Sequence, residues 1–91
     1  MTSEYRLAAI LNTAAADELR RALSDRIAAA SALSLDGAAV DRIGQACLQV
    51  LASARATAAA KGLRFRLDPR SDPLAQMIAL AGLDASLAAV D

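Results

Sequence analysis

Three short apolar runs alternate along the chain with longer segments of helical period, and that alternation restricts the fold more than any single motif. The runs are Tyr5-Arg-Leu-Ala-Ala-Ile-Leu11, Ala32-Leu-Ser-Leu35 and Leu63-Arg-Phe-Arg-Leu67. Each has the length of a strand. Each connection between them is long enough to hold a helix, which permits parallel pairing in an α/β layer structure.

The segments carry their own end signals. Asn12-Thr13 breaks the first run and offers Thr13 as a helix cap, after which Ala16, Leu19, Ala22, Leu23 and Ile27 form an apolar stripe as far as Ala28. Ala32–Leu35 reads as a central strand, stopped by the turn residues Asp36-Gly37. Asp41 is the expected cap of a second helix, in which Ile43, Ala46, Cys47, Val50, Leu51, Ala54 and Ala58 recur at helical spacing up to Lys61-Gly62.

In the third strand Leu63, Phe65 and Leu67 share one face and Arg64 and Arg66 the other, so one face is wet and an edge position is expected. Asp68-Pro69 closes it. A third helix follows with Asp72 as cap, Pro73 at the first helical position and an apolar stripe of Leu74, Met77 and Ile78. Gly82 ends that helix in the left-handed conformation and lets Leu83 fold back on Ile78; Asp84–Val90 is expected to form a last short helix. The fold class expected is α/β, a mostly parallel or mixed sheet of about four strands covered by three to four helices.

A chain of 91 residues, 56% hydrophobic and with only four glycines and two prolines, is expected to be one packed domain over residues 1–91 with no disordered tail. Ten basic residues balance ten acidic ones, and the aromatics are Tyr5 and Phe65 alone, so nucleic acid finds neither a charged track nor a stacking platform. No uncharged apolar stretch approaches the roughly 20 residues of a membrane span, and Met1–Arg6 shows no basic region leading into an apolar run. A cytoplasmic location without membrane insertion is expected.

Chemistry has few parts to work with. There is no histidine, Cys47 is the only cysteine, and Gly37, Gly44, Gly62 and Gly82 are isolated. An intramolecular disulfide, an ordinary zinc site, Ser-His catalysis and a phosphate loop are therefore all unprovided for. The carboxylates have structural roles: Asp41, Asp72 and Asp84 as caps, Asp17, Glu18 and Asp25 on a solvated helix face, Asp36 and Asp68 at strand ends. Cys47 falls within an apolar stripe, where a thiol is a small inert core residue. The chain is read as not an enzyme, with no catalytic, cofactor-binding or metal-binding residue and no cofactor.

The second helix is the informative element. Its face away from the stripe holds Gln45, Leu48, Gln49, Ala52, Ala56 and Ala59, and Arg55 is the only charge between Ile43 and Ala60. A helix covering a sheet ordinarily shows charge to water, so a small, neutral outer face points to a surface that another protein covers. The 25 alanines of the chain offer a compositional origin for the same pattern.

Leu33-Ser-Leu-Asp36, Val40-Asp-Arg-Ile43, Cys47-Leu-Gln-Val-Leu51, Gly62-Leu-Arg-Phe65, Asp68-Pro69 and Leu80-Ala-Gly-Leu83, in that order and spacing, resemble the STAS domains, the class of the anti-sigma factor antagonists. The resemblance runs from about Tyr5 to Leu87. Phosphoregulated members open this helix with Asp-Ser-Ser-Gly-Leu and are phosphorylated on the first serine by a partner kinase; here the segment reads Gly44-Gln-Ala-Cys-Leu48, which puts Gln45, without a hydroxyl, at the phosphoacceptor position.

Asp41–Leu51 with Ala54-Arg-Ala-Thr57 is most similar to the short STAS proteins of bacterial chemotaxis gene clusters. That implies a non-catalytic adaptor or modulator in signal transduction, with a chemotaxis histidine kinase or another kinase or ATPase as partner. Alternatives within the family are an anti-sigma factor antagonist, with Ser34 or Ser53 as another phosphoacceptor, and the cytoplasmic STAS subunit of a lipid-transporting ATP-binding-cassette system. The expected contact surface is Asp41, Arg42, Gln45, Leu48, Gln49, Ala52 and Ala56. A second copy of the chain, forming a homodimer, is another possible cover for it.

Overall fold

The computed structural model describes residues 4–90; Met1–Ser3, part of the N-terminal reading above, and Asp91 lie outside it. Five short strands form two parallel sheets. β1 (Glu4–Arg6), β3 (Leu33–Gly37) and β5 (Phe65–Arg70) make the main sheet in the order β1-β3-β5, so β3 is central and β5 lies at an edge, as the alternation around Phe65 implied. β2 (Ile10–Leu11) pairs with β4 (Arg42–Ile43) in the second.

The expected single strand Tyr5–Leu11 is thus divided. Leu7 N–H makes the last bond to the main sheet, on Asp36 O at 2.9 Å. Two residues on, Ala9 O accepts from the N–H groups of both Asp41 and Arg42 at 2.8 and 3.0 Å, and this draws the chain into the second sheet. Asp36-Gly37, expected to stop the second strand, are its last two residues; the turn falls at Ala38-Ala39, held by Asp36 Oδ1 accepting from Ala38 N–H.

Three α-helices cross between or follow these strands: α1 (Ala16–Ala28), α2 (Gln45–Ala60) and α3 (Asp72–Leu80). α1 joins β1 to β3 and α2 joins β3 to β5; parallel crossovers of one hand place both on the same face, and the two helices pack against each other. The core fills the space between. Leu33, Leu35, Phe65 and Leu67 contribute from the sheet, Leu19 and Leu23 from α1, Cys47, Leu51 and Ala58 from α2, with Leu74 and Ile78 of α3 closing one end. Met77, expected in the stripe of α3, is exposed because Leu74 and Ile78 alone fill the inward arc of that short helix.

The caps differ from expectation at every helix start. Asn12, not Thr13, closes the 3-10 turn Thr13–Ala15 that leads into α1, its Oδ1 accepting from Ala15 N–H at 3.2 Å. Asp41 cannot cap α2, because Arg42-Ile43 are taken up in β4 and the helix starts later, with Gly44 at the N-cap. Ser71, not Asp72, caps α3; its Oγ accepts from Leu74 N–H at 3.2 Å and donates to Val40 O, so it also ties α3 to the loop before β4. Asp84 makes no side-chain cap bond, and the expected last helix is only the 3-10 turn Ala85–Leu87, because beyond it Val90 bridges antiparallel to Phe65.

All three α-helices end alike. Leu83 N–H bonds Ile78 O and Gly82 N–H bonds Ala79 O after α3, and Leu63 and Gly62 bond Ala58 O and Ala59 O after α2. In these two the left-handed position holds glycine, with φ of 70° at Gly82 and 71° at Gly62. After α1 the same pair of bonds runs from Ser31 to Arg26 O and from Ala30 to Ile27 O, but the left-handed residue is Ala30, at φ 57°. A Cβ in that conformation costs about 1–2 kcal/mol, part of which glycine's extra unfolded-state freedom would offset. Ala30→Gly is therefore expected to stabilise the fold by about 0.5–1 kcal/mol, read as a higher urea midpoint at unchanged slope. An unchanged or lower midpoint would show that the turn carries no strain.

Candidate functional site

α2 has four distinct flanks. Cys47, Leu51 and Ala58 face the sheet and are fully buried. Cys47 Sγ donates to Asn12 O at 3.4 Å, which fastens the first turn of α2 to the loop ahead of α1. Burial raises the pKa of this thiol above its ordinary value of 9.0, so at neutral pH it is a protonated packing group.

The second flank meets the C-terminal segment. The turn Ala85–Leu87 packs on α2, Leu87 is fully buried, and Arg55 Nε donates to Ala88 O at 2.9 Å. Leu48, two turns before Arg55 on the same flank, is 0% exposed. This corrects its expected place on the outer face: periodicity within α2 cannot register packing from beyond the helix. On the third flank, α2 faces α1 across an open groove lined by Val50 and Ala54 from α2 and Leu23 and Ile27 from α1.

The fourth flank faces outward. Gln45, Gln49 and Ala56 are exposed there, Ala52 is half-buried on its shoulder, and the exposed pair Asp41-Arg42 precedes its N-terminal end. Among the expected contact residues the structure thus brings Asp41, Arg42, Gln45, Gln49, Ala52 and Ala56 to the surface, and Leu48 to the core. Gln45 is the first residue of α2. Arg55, the one charge in the helix, is turned away into its bond with Ala88, so the outward face consists of amides and methyl groups.

Of the other hydroxyls considered, Ser34 is half-buried on β3 and Ser53 is exposed at the groove. The aromatics sit inward: Phe65 is fully buried, and Tyr5 is half-buried with the Arg26 guanidinium 5.1 Å from its ring centre. No group of three Cys, Asp or Glu side chains that could hold a metal comes together among the described residues. No helix of the described chain is long and apolar enough to cross a membrane.

The groove beside α1 was missed by the sequence reading. Its signal was present in Ser24 and Ala28 on α1 and Ala46, Ser53 and Thr57 on α2, small residues whose side chains cannot bridge the space between two helices.

The family model described as Mlab, STAS domain, matches residues 3–89. The chain belongs to the STAS domain family. Nothing among the curated proteins or the solved structures matches it. STAS domains are generally non-catalytic modules that mediate protein–protein interactions, and the α/β architecture with parallel strands is consistent with that fold, here with five strands in two sheets.

Proposed function

We propose that this STAS domain is a cytoplasmic, non-catalytic adaptor of bacterial signal transduction, linked to chemotaxis, that binds a histidine kinase or another component of its phosphotransfer system through the outer face of α2. The observation that carries this reading is the uncharged outward face, with the helix's only charge committed to Ala88 O. A helix face kept free of charge in water is one that a partner desolvates at little cost. Gln45 stands where phosphoregulated members carry serine, so the face keeps a hydrogen-bonding side chain and lacks the switch that a phosphate of about −1.5 to −2 charge would provide.

The test is a tagged pull-down with mass-spectrometric identification, comparing the wild type with Gln45→Arg/Ala56→Glu. Both positions are exposed and neither lines the groove, so the variant is expected to keep its circular dichroism spectrum while losing about tenfold or more in partner affinity. Undiminished binding would remove the outer face from the reading. A chemotaxis kinase or regulator as the captured protein supports the pathway. An anti-sigma kinase, or the ATPase of a lipid transporter, would move the domain to the second reading, an anti-sigma factor antagonist or a transporter subunit that uses the same face.

A further inference from the structure

The groove between α1 and α2 has a volume of about 700 Å³ and a chemistry of its own. Leu23 and Ile27 from α1 and Val50 and Ala54 from α2 make an apolar floor, and Arg20 and Lys61 are its charged residues. No carboxylate lines it. Asp17 pairs with Arg20 at 2.8 Å, but both side chains are more than half exposed, so the pair is strongly screened and easily exchanged.

The groove follows α2 from Ala46 to Lys61, a length of about 22 Å at 1.5 Å per residue, or roughly four helical turns. A slot of that length between two neighbouring helices, apolar below and open along its top, has the form that accepts the apolar stripe of a third helix. Its charge selects among such helices: a slot with two cations and no anion favours acidic flanks.

We propose that the α1–α2 groove seats an amphipathic helix of the partner protein, with an apolar stripe on the floor and Asp or Glu on its flanks toward Arg20 and Lys61. This rests on the reading of the domain as a protein-binding module and adds a second, adjoining contact to the outer face of α2.

The experiment uses the full chain, isotope-labelled for NMR, and two synthetic helical peptides of about 18 residues, roughly the length of the groove. Both carry the same leucine stripe; one has glutamates on its flanks and the other lysines. The glutamate peptide is expected to bind about tenfold more tightly than the lysine peptide and to shift the amides of Ser24, Ile27, Val50 and Ser53. Arg20→Glu/Lys61→Glu, a swap at two exposed positions, is expected to reverse the preference. Equal binding of the two peptides, absence of binding by both, or shifts confined to other surfaces would overturn the proposal. Gln45→Arg/Ala56→Glu leaves the groove untouched, so it is expected to lose the partner in the pull-down and keep the glutamate peptide. The two readings therefore fail separately.

Discussion

Phe65→Ala is expected to destabilise the domain by about 3–5 kcal/mol, the usual cost of removing a fully buried phenylalanine side chain. Against a total of roughly 5–14 kcal/mol for a chain of this size, such a loss brings the fold close to its midpoint. Phe65 opens β5, sits in register with Leu33 of the central strand, and exchanges two 2.9 Å backbone bonds with Val90 on its other side. Its ring is the chain's only phenylalanine, and the core around it is built of leucine, alanine and other aliphatic side chains, none large enough to fill the space by a rotamer change. Urea denaturation followed by circular dichroism measures the effect. A loss below about 1 kcal/mol would mean that the core collapses around the missing ring, contrary to the packing described.

The second large effect is expected at Gly37. A Cβ there would lie 2.5 Å from Leu74 Cδ2 and 3.2 Å from Pro69 O. Leu74 is fully buried, so its side chain can give way only by displacing core neighbours, and the carbonyl belongs to backbone held in β5. Gly37 O also accepts from Ser71 N–H at 3.0 Å, so displacing this residue would disturb the start of α3. Gly37→Ala should cost about 1–3 kcal/mol, the range for overpacking. The mechanism has a sharper check in the double variant Gly37→Ala/Leu74→Ala, where the added methyl enters the space the leucine vacates. The double variant should lose less stability than the two single losses added together; simple additivity would show that the clash with Leu74 is not the cause.

Where the sequence could be read, it was read from neighbours in the chain. The alternation of Leu63–Leu67 located the wet edge strand but not its ends, since β5 begins at Phe65 and continues through Asp68-Pro69, expected to close it, to Arg70. The Leu19–Ile27 stripe located α1, and Gly82 the end of α3, because each of these signals is local. The separate β2–β4 sheet left no such trace: two residues a side are too few for periodicity, and the pairing is decided by Ala9 O meeting Asp41 and Arg42 from a distant part of the chain. Leu48 failed for the same reason on the contact surface. Its neighbours in α2 describe an outer position, and packing from beyond the helix makes it an inner one. The outer face was still legible in part, since Gln45, Gln49 and Ala56 lie far enough round the helix from that packing to stay exposed.

The seating of Leu87 in the core and of Val90 against Phe65 gives the molecule an order in time. A ribosome adding about 5–20 residues per second needs roughly one to five seconds to travel from Phe65 to Val90. Throughout that interval the outer edge of β5 and the Leu48 flank of α2 have been made and their cover has not. Parallel pairing already delays the sheet, because β1 must wait for β3 and β3 for β5. The domain therefore closes its core only once Leu87 and Val90 have been made, and until then the strand edge that Val90 covers is open to other chains.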